Sequence, residues 1–422
     1  MAFTTKTKKR LFFVVARYFR FFANISFQRW RPRTVAITGS VGKTTMLGLV
    51  EAQIGQLAHY SHNANSAFGV AFDILGLKGV TGTKLYWLYL LLAAPVRALT
   101  FTRHEKFYVV EIDGERPHET EFIAHWLRPE VTIWVSLGLS HAVYYEQSVD
   151  ESNYASIAAA IAHEFSTLAK YTEKLTLIDA DSPLMHAATQ NLACAVKKLS
   201  SRAIKNYRVT PSSAEFAINK HIFKFAHPMP RDIGIQLVML VELMKYLRLP
   251  IKPDMTDLQL PPGRNNLLRG KNGLKIIDSS YNAHLISVAS ILSMVKSLRV
   301  PHKWLVIGDM IEQGKFEQVE HEKLADLIIA ASPEQVVLVG RRTASYTYPL
   351  LEKRLPVVTF QRPQEALSFL EQNLTGKETV TFKGSQYLEW IIEHLLADPA
   401  DAALLVRQTA AHRRRRASWG LT

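Results

Sequence analysis

The segment Gly39-Ser40-Val41-Gly42-Lys43-Thr44-Thr45 follows directly on the apolar run 34–38 and precedes a helical pattern reaching about residue 57. Its glycines let backbone N–H groups converge on phosphate oxygens, and the start of the following helix adds the positive end of its dipole. Lys43 would neutralise the outer phosphates of a nucleotide, and the Thr44 hydroxyl would ligate Mg2+. The first glycine of the longer Walker pattern has no counterpart, so the match is to the shorter G-x-x-G-K-T core. Such a loop implies a nucleotide site and leaves kinase, GTPase, motor and ligase open.

Two further groups fall at strand ends. Glu111 closes the apolar run 108–110, where the crevice of an open α/β sheet lies, and a carboxylate there can ligate Mg2+ through oxygen. His141 follows another apolar run, in Ser136-Leu137-Gly138-Leu139-Ser140-His141. Taken singly, each reads as readily as an ion-paired acid or a structural histidine. Together, Thr44, Glu111 and His141 make a candidate Mg2+ ligand set.

The elements that must position these groups follow a βα rhythm. Strands are expected at 34–38, 107–112, 131–137 and 175–179, with an alanine-rich helix over 151–171. The proline-rich stretch 249–262 reads as a linker. Beyond it, strands at 275–278, 303–307, 335–339, 357–360 and 379–382 alternate with helical stretches. The expected fold class is α/β: a central P-loop ATPase-type domain on a mainly parallel sheet (34–255), then a smaller Rossmann-like α/β domain (256–400). A basic amphipathic segment (1–33) and a basic tail (401–422) flank them.

Charge is unevenly spread. Of 422 residues, 51 are Lys or Arg and 37 Asp or Glu, a formal net charge of +14. Residues 1–33 hold nine basic side chains and no acidic one, and residues 401–422 add a net +4, so 34–400 carry only +1. A body coated in positive charge for nucleic acid is excluded. The single cysteine, Cys194, excludes a disulfide framework and a cysteine-based zinc site, and fits a reducing cytoplasm. Arg17 and Arg20 interrupt the apolar run 11–22, which argues against a secretory leader. That run, aromatic and flanked by basic residues, reads either as an interfacial membrane helix or as a packing helix with a solvated basic face. The uncharged stretch 85–96 is too short to span a bilayer and is expected first as a buried core helix, second as a membrane-contacting loop.

From the P-loop onward the chain resembles the Mur ligase family, the ATP-dependent amide ligases of cell-wall peptide assembly, and within it the D-alanyl-D-alanine-adding branch. Ile37–Thr45 is similar to the family's short P-loop, and Asn63-Ala64-Asn65-Ser66-Ala67-Phe68-Gly69-Val70 to its asparagine-rich loop. Pro262-Gly263-Arg264 resembles the Pro-Gly-Arg entry to the next domain. Asp278-Ser279-Ser280-Tyr281-Asn282-Ala283 with Ser287 resembles the branch's Asp-Asp-Ser-Tyr-Asn-Ala signature. Gly308-Asp309-Met310-Ile311-Glu312-Gln313-Gly314 followed by His321, and Lys383-Gly384-Ser385, resemble its remaining blocks.

The resemblance implies ATP and Mg2+ as cofactors, a peptide carboxylate acceptor, and an amino-acid or dipeptide amine joined to it through an acyl phosphate. It implies catalytic roles for Lys43, His141, Asn282 and Ser287. It puts Gly39, Ser40, Val41, Gly42, Lys43, Thr44, Thr45, Arg264, Asp278 and Tyr281 on ATP, and Thr44, Glu111 and His141 on the metal. The family's carbamylated lysine corresponds to Phe165 or, in a shifted alignment, Ala162, with His163 and Glu164 the neighbours able to compensate. The family's opening UDP-binding domain has no counterpart before residue 34, so residues 1–33 and 85–96 are expected to contact an anionic membrane instead, on the cytoplasmic face. A catalytically weak nucleotide-binding scaffold is the alternative.

Overall fold

The computed structural model describes residues 2–421 except 63, 80–83, 115, 140, 141, 153, 385 and 386. The chain divides into two compact units, one of Met1–Gly138, Tyr144–Ser200 and Met239–Pro250, the other of Leu139–Val143, Ser201–Val238 and Ile251–Thr422.

The first unit is built on a six-stranded parallel sheet. Its strands are β1 (Arg33–Thr38), β2 (Ala58–Tyr60), β3 (Phe107–Glu111), β4 (Val131–Trp134), β5 (Leu175–Asp179) and β6 (Ala195–Leu199), in the order β2-β3-β1-β4-β5-β6. β3 and β4 are buried at every residue, as strands covered on both faces must be, which is why they read as unbroken apolar runs. The order reverses at β1, so the carboxyl ends of β1, β3 and β4 flank a topological switch point.

Among the described residues seven α-helices precede β5: α1 (Ala2–Trp30), α2 (Lys43–Ile54), α3 (Ala67–Leu75), α4 (Lys84–Thr100), α5 (Glu119–Leu127), α6 (Ala142–Ser152) and α7 (Ile157–Lys170). The expected helix over 151–171 is therefore two, because Ser156 turns extended and its hydroxyl caps Ala159 N–H at the start of α7. The run 11–22 extends into 29 residues of α1, which is packed into the unit. Ala16, Phe19, Ala23, Phe27 and Trp30, spaced at helical intervals, join the core formed with α3 and α4. Phe19 meets Phe72 edge-on at 4.8 Å.

The expectation of a buried helix at 85–96 holds for one face only. Leu90, Ala94 and Ala98 are fully buried, whereas Leu85 is 80% and Leu92 66% exposed. No helix among the described residues is long and apolar enough to cross a membrane.

The second unit holds two sheets. One follows the order β11-β12-β16-β13-β14-β15, on β11 (Asn266–Arg269), β12 (Lys275–Ser279), β13 (Lys303–Gly308), β14 (Gln335–Val339), β15 (Val357–Phe360) and β16 (Thr379–Lys383). It is parallel except for the antiparallel edge strand β11, in agreement with the restarted βα rhythm. The other was not anticipated: β7 (Ile204–Thr210), β8 (Ser213–Ile218) and β9 (His221–Phe225) form an antiparallel meander, and β10 (Asp254–Met255) adds to β9 from within the expected linker. In β8 buried and half-buried residues alternate, the pattern of a sheet with one wetter face.

The basic tail is folded as well. Leu405 and Leu421 enter the core under the second unit's larger sheet, and Arg416, buried in the helix Ala410–Ala417, pairs with Glu393 at 2.7 Å.

Candidate active site

The P-loop is fixed by what surrounds it. Gly39 has φ +136, and a Cβ there would lie 2.8 Å from the Ser136 carbonyl oxygen, so both conformation and space require glycine. Ser40 N–H donates to that carbonyl (3.1 Å), and Val41 N–H to Ser136 Oγ (2.8 Å), which donates back to the Val41 carbonyl (2.7 Å). The Ser40 hydroxyl donates to Gly138 O and accepts Gly138 N–H, both at 2.9 Å. This lacing explains why the expected strand 131–137 stops at Trp134: residues 135–138 turn to hold the loop.

Gly42, at φ +87, caps α2, and Met46 N–H to Gly42 O (2.9 Å) starts the helical ladder. The turn before it, Lys43–Thr45, lies where a helix start presents N–H groups to an anion. Lys43 is buried; its ammonium donates to the Gly39 carbonyl (2.5 Å) and lies 3.3 Å from Asp113 Oδ1.

Glu111 is opposite Ile37 across β1 and β3, one residue short of the loop, and is buried. Its N–H donates to Ser61 Oγ (2.9 Å). Thr44 is half-buried in the first turn of α2. Both offer hard oxygen, which suits Mg2+, an ion that takes one or two protein oxygens and completes its shell with phosphate and water. Among the described residues no group of three or more His, Cys, Asp and Glu could hold a metal. His141 lies outside the described residues, as does Ser385.

Phe165 is fully buried, with its ring edge-on to Trp134 at 6.1 Å. Ala162 is buried too, and His163 is exposed with its ring against Tyr154. Glu164 accepts the N–H groups of His118 and Thr120, each at 2.8 Å, at the start of α5. Burial raises its carboxyl above the ordinary range, although these two amides favour the charged form.

In the second unit, Asp278 sits one residue from the end of β12 and is fully buried. The structure thus places it inside the fold, since its central strand is flanked by β11 and β16. Its Oδ1 accepts Ser280 N–H (2.9 Å), while Oδ2 is buried without a hydrogen-bond partner. Burial raises its pKa. Lys383, opposite Ser279 at the end of β16, donates to the Asn282 carbonyl (2.7 Å). Burial, with Arg264 adding repulsion, pushes that lysine down to about 7.

Asn282 Oδ1 accepts Ala283 N–H (2.8 Å), and its amide nitrogen lies 3.1 Å from His284 Nε2. Ser287 Oγ accepts His284 N–H and donates to the His284 carbonyl, forming a capping box for the helix Leu285–Ser297. Tyr281 is exposed, with the Arg264 guanidinium 4.4 Å above its ring, and Arg407 donates to its carbonyl (2.7 Å). Asp309 accepts Thr343 N–H and Arg342 N–H, and Met310 N–H donates to His321 Nε2, so this motif ties loops together.

Lys383 carries a pH prediction. Its folded pKa lies below its unfolded value near 10.4, so between pH 7 and 10 the unfolded chain binds the extra proton and stability rises with pH. The slope from this group approaches about 1.4 kcal/mol per pH unit. Urea unfolding at pH 7, 8 and 9 should show a steeper rise for wild type than for Lys383→Met; parallel curves would refute the assignment.

The P-loop, the buried lysine and Glu111 gather at the carboxyl edge of one parallel sheet, the arrangement of a P-loop nucleotide-binding protein. Residues 263–386 match the family model "Mur ligase, glutamate ligase domain". The UDP-N-acetylmuramoyl-tripeptide--D-alanyl-D-alanine ligase of Bacillus subtilis (strain 168) is 22% identical over 387 residues, spanning 88% of this chain and 78% of that protein. Its counterpart in Borreliella burgdorferi is 22% identical over 84% of this chain and 72% of its own. The chain is thus similar to Mur ligases over most of its length, with their glutamate ligase domain matched at residues 263–386. Among solved structures, MurF from Acinetobacter baumannii superposes with TM-score 0.70 at 18% identity, covering 91% of this chain and 79% of that one. MurF from Thermotoga maritima in complex with ADP gives 0.66 at 18%, with 88% and 81% covered. These two likenesses are of fold.

Proposed function

We propose that the chain is an ATP-dependent amide-bond-forming ligase that joins D-alanyl-D-alanine, or an amine of that kind, to a carboxylate of a cell-wall peptide precursor. The observation that carries this reading is the rigidly laced G-x-x-G-K-T loop with Lys43 buried beneath it, in a chain whose relatives are named as D-alanyl-D-alanine ligases. Bound ATP with Mg2+ supplies the phosphoryl group that turns the acceptor carboxylate into an acyl phosphate, which the amine attacks to leave an amide and phosphate.

The chain's own residues do the holding. Lys43 keeps one positive charge at the loop, screened by Asp113 until a phosphate competes for it. Thr44 and Glu111 supply oxygen to the metal, and His141 is assigned to the same set. Asn282 and Ser287 act as positioning residues, because their polar atoms fix the turn after β12. Arg264 and Tyr281 present the exposed, stacked surface of that turn to the substrates. The acidic and basic partners of the turn, Asp278 and Lys383, set its electrostatics from below. The domain limits read from the sequence, 34–255 and 256–400, are kept as the proposed division of labour. The reaction is placed in the cytoplasm, at the inner face of the membrane.

Phosphate release from ATP, measured with peptide acceptors ending in a free carboxylate and with D-alanyl-D-alanine, tests the reading. Release should require acceptor and amine together. ATP binding with no amine-dependent release from any acceptor would instead support a nucleotide-binding scaffold. Glu111→Gln is expected to raise the Mg2+ concentration for half-maximal release at least about tenfold, since losing the carboxylate removes a charged oxygen donor. An unchanged Mg2+ titration would remove Glu111 from the metal set.

A further inference from the structure

The cores of the first unit use only one face of α1 and of α4, and the opposite faces share an unusual chemistry. On α1, Val14, Tyr18 and Phe21 are exposed. On α4, Leu85, Leu88, Leu92, Val96 and Leu99 form one stripe at steps of three and four, all exposed. The two stripes lie side by side: the Tyr18 hydroxyl donates to the Leu91 carbonyl at 2.7 Å, and Arg29 donates to the carbonyls of Ala98 and Leu99 at 2.9 Å each.

Neither helix contains an aspartate or glutamate. α1 carries Lys6, Lys8, Lys9 and Arg10 in its first turns. Exposed Arg17 falls between Val14 and Phe21 at steps of three and four, which puts a basic residue on the apolar stripe. α4 begins at Lys84.

We propose that this paired face docks on an anionic lipid bilayer, with the apolar stripe in the acyl boundary and the lysines and arginines at the headgroups. The reasoning is charge complementarity. A face whose charges are all basic, set against a second copy of itself, would bring like charges together. An anionic bilayer satisfies both halves of the face at once, and aromatic residues such as Tyr18 and Phe21 suit its interface. Neither helix is long and apolar enough to cross, so the contact is peripheral. This rests on the membrane-face placement proposed above and supplies the surface for it; vesicle binding and turnover are measured separately, so either can fail alone.

Flotation of the full chain with vesicles of phosphatidylcholine alone, or with about one third phosphatidylglycerol, is the test. Wild type should float with the anionic vesicles at low salt, and at least tenfold less with neutral ones. Leu88→Glu with Leu92→Glu should reduce anionic-vesicle binding at least tenfold while ATP turnover in solution stays unchanged. Arg10→Gln with Arg17→Gln should weaken binding and flatten its salt dependence. Wild type that fails to float, or a Leu88→Glu/Leu92→Glu protein that floats as well as wild type, overturns the proposal. So does a concentration-dependent dimer in sedimentation velocity that the same two substitutions disperse, since the face would then belong to a second copy.

Discussion

Lys43→Met is expected to lower ATP-dependent phosphate release by at least about a hundredfold, with little change in the folded structure. Removing one preorganised donor from a charge-stabilising site typically costs that much in kcat, and phosphoryl transfer relies mainly on positioning and charge. The lysine's surroundings sharpen the expectation. Its ammonium is held by the Gly39 carbonyl at 2.5 Å and by Asp113 at 3.3 Å, so its charge is already placed before any ligand arrives. Without it, the Asp113 carboxylate stays beside the loop with no lysine 3.3 Å away and repels a nucleotide's phosphates. Lys43→Met/Asp113→Asn should therefore recover ATP binding relative to Lys43→Met while turnover stays low. Lys43→Arg should also be poor, because a planar guanidinium cannot donate along the axis that a compact ammonium uses here. Stopped-time phosphate assays with nucleotide binding by calorimetry separate the two effects. Turnover within a few-fold of wild type in Lys43→Met would remove the loop from the chemistry.

How far the sequence carried these conclusions depends on where each signal resides. The parallel sheets were legible because strands buried on both faces must be continuous apolar runs, and β5 and β14 fall where the runs predict. The P-loop was legible because backbone convergence demands glycine at fixed spacing. The antiparallel meander β7–β9 was missed: its strands are partly exposed, and Lys205, Arg208 and Lys224 dilute the alternation. Asp113 was missed although it lies two residues beyond Glu111, a spacing that in an extended chain returns a side chain to the same side. Ser136 could not have been found by pattern, because its role depends on β4 lying beside β1. For Asn282 and Ser287, sequence spacing does not distinguish a substrate contact from the hydrogen bonds that the structure shows in the turn after β12. Charge misled in another way. The basic segments at both termini were read as flanking the folded domains, yet α1 supplies the core with Phe19 and Phe27, and Arg416 is buried in an ion pair.

Phe165→Lys is expected to destabilise the first unit by more than Phe165→Ala, and not to create a metal site. Truncation to alanine removes a fully buried ring and leaves a cavity, at a cost of about 3–5 kcal/mol. Lysine at the same position adds an ammonium where the ring now packs against Trp134, and an unpaired buried charge costs further. The obvious partner is Glu164, but its carboxylate is committed to the amides of His118 and Thr120. Space is short as well: even a methyl group on Gly114 would come within 2.9 Å of the Phe165 ring. The pocket is packed around an aromatic side chain, so a lysine introduced there alone finds no prepared surroundings. Urea unfolding of both variants, with and without bicarbonate, decides the matter. A Phe165→Lys protein as stable as wild type, with turnover that rises when bicarbonate is added, would mean that the site still accepts a carbamylated lysine and that its metal-binding geometry survives behind the phenylalanine.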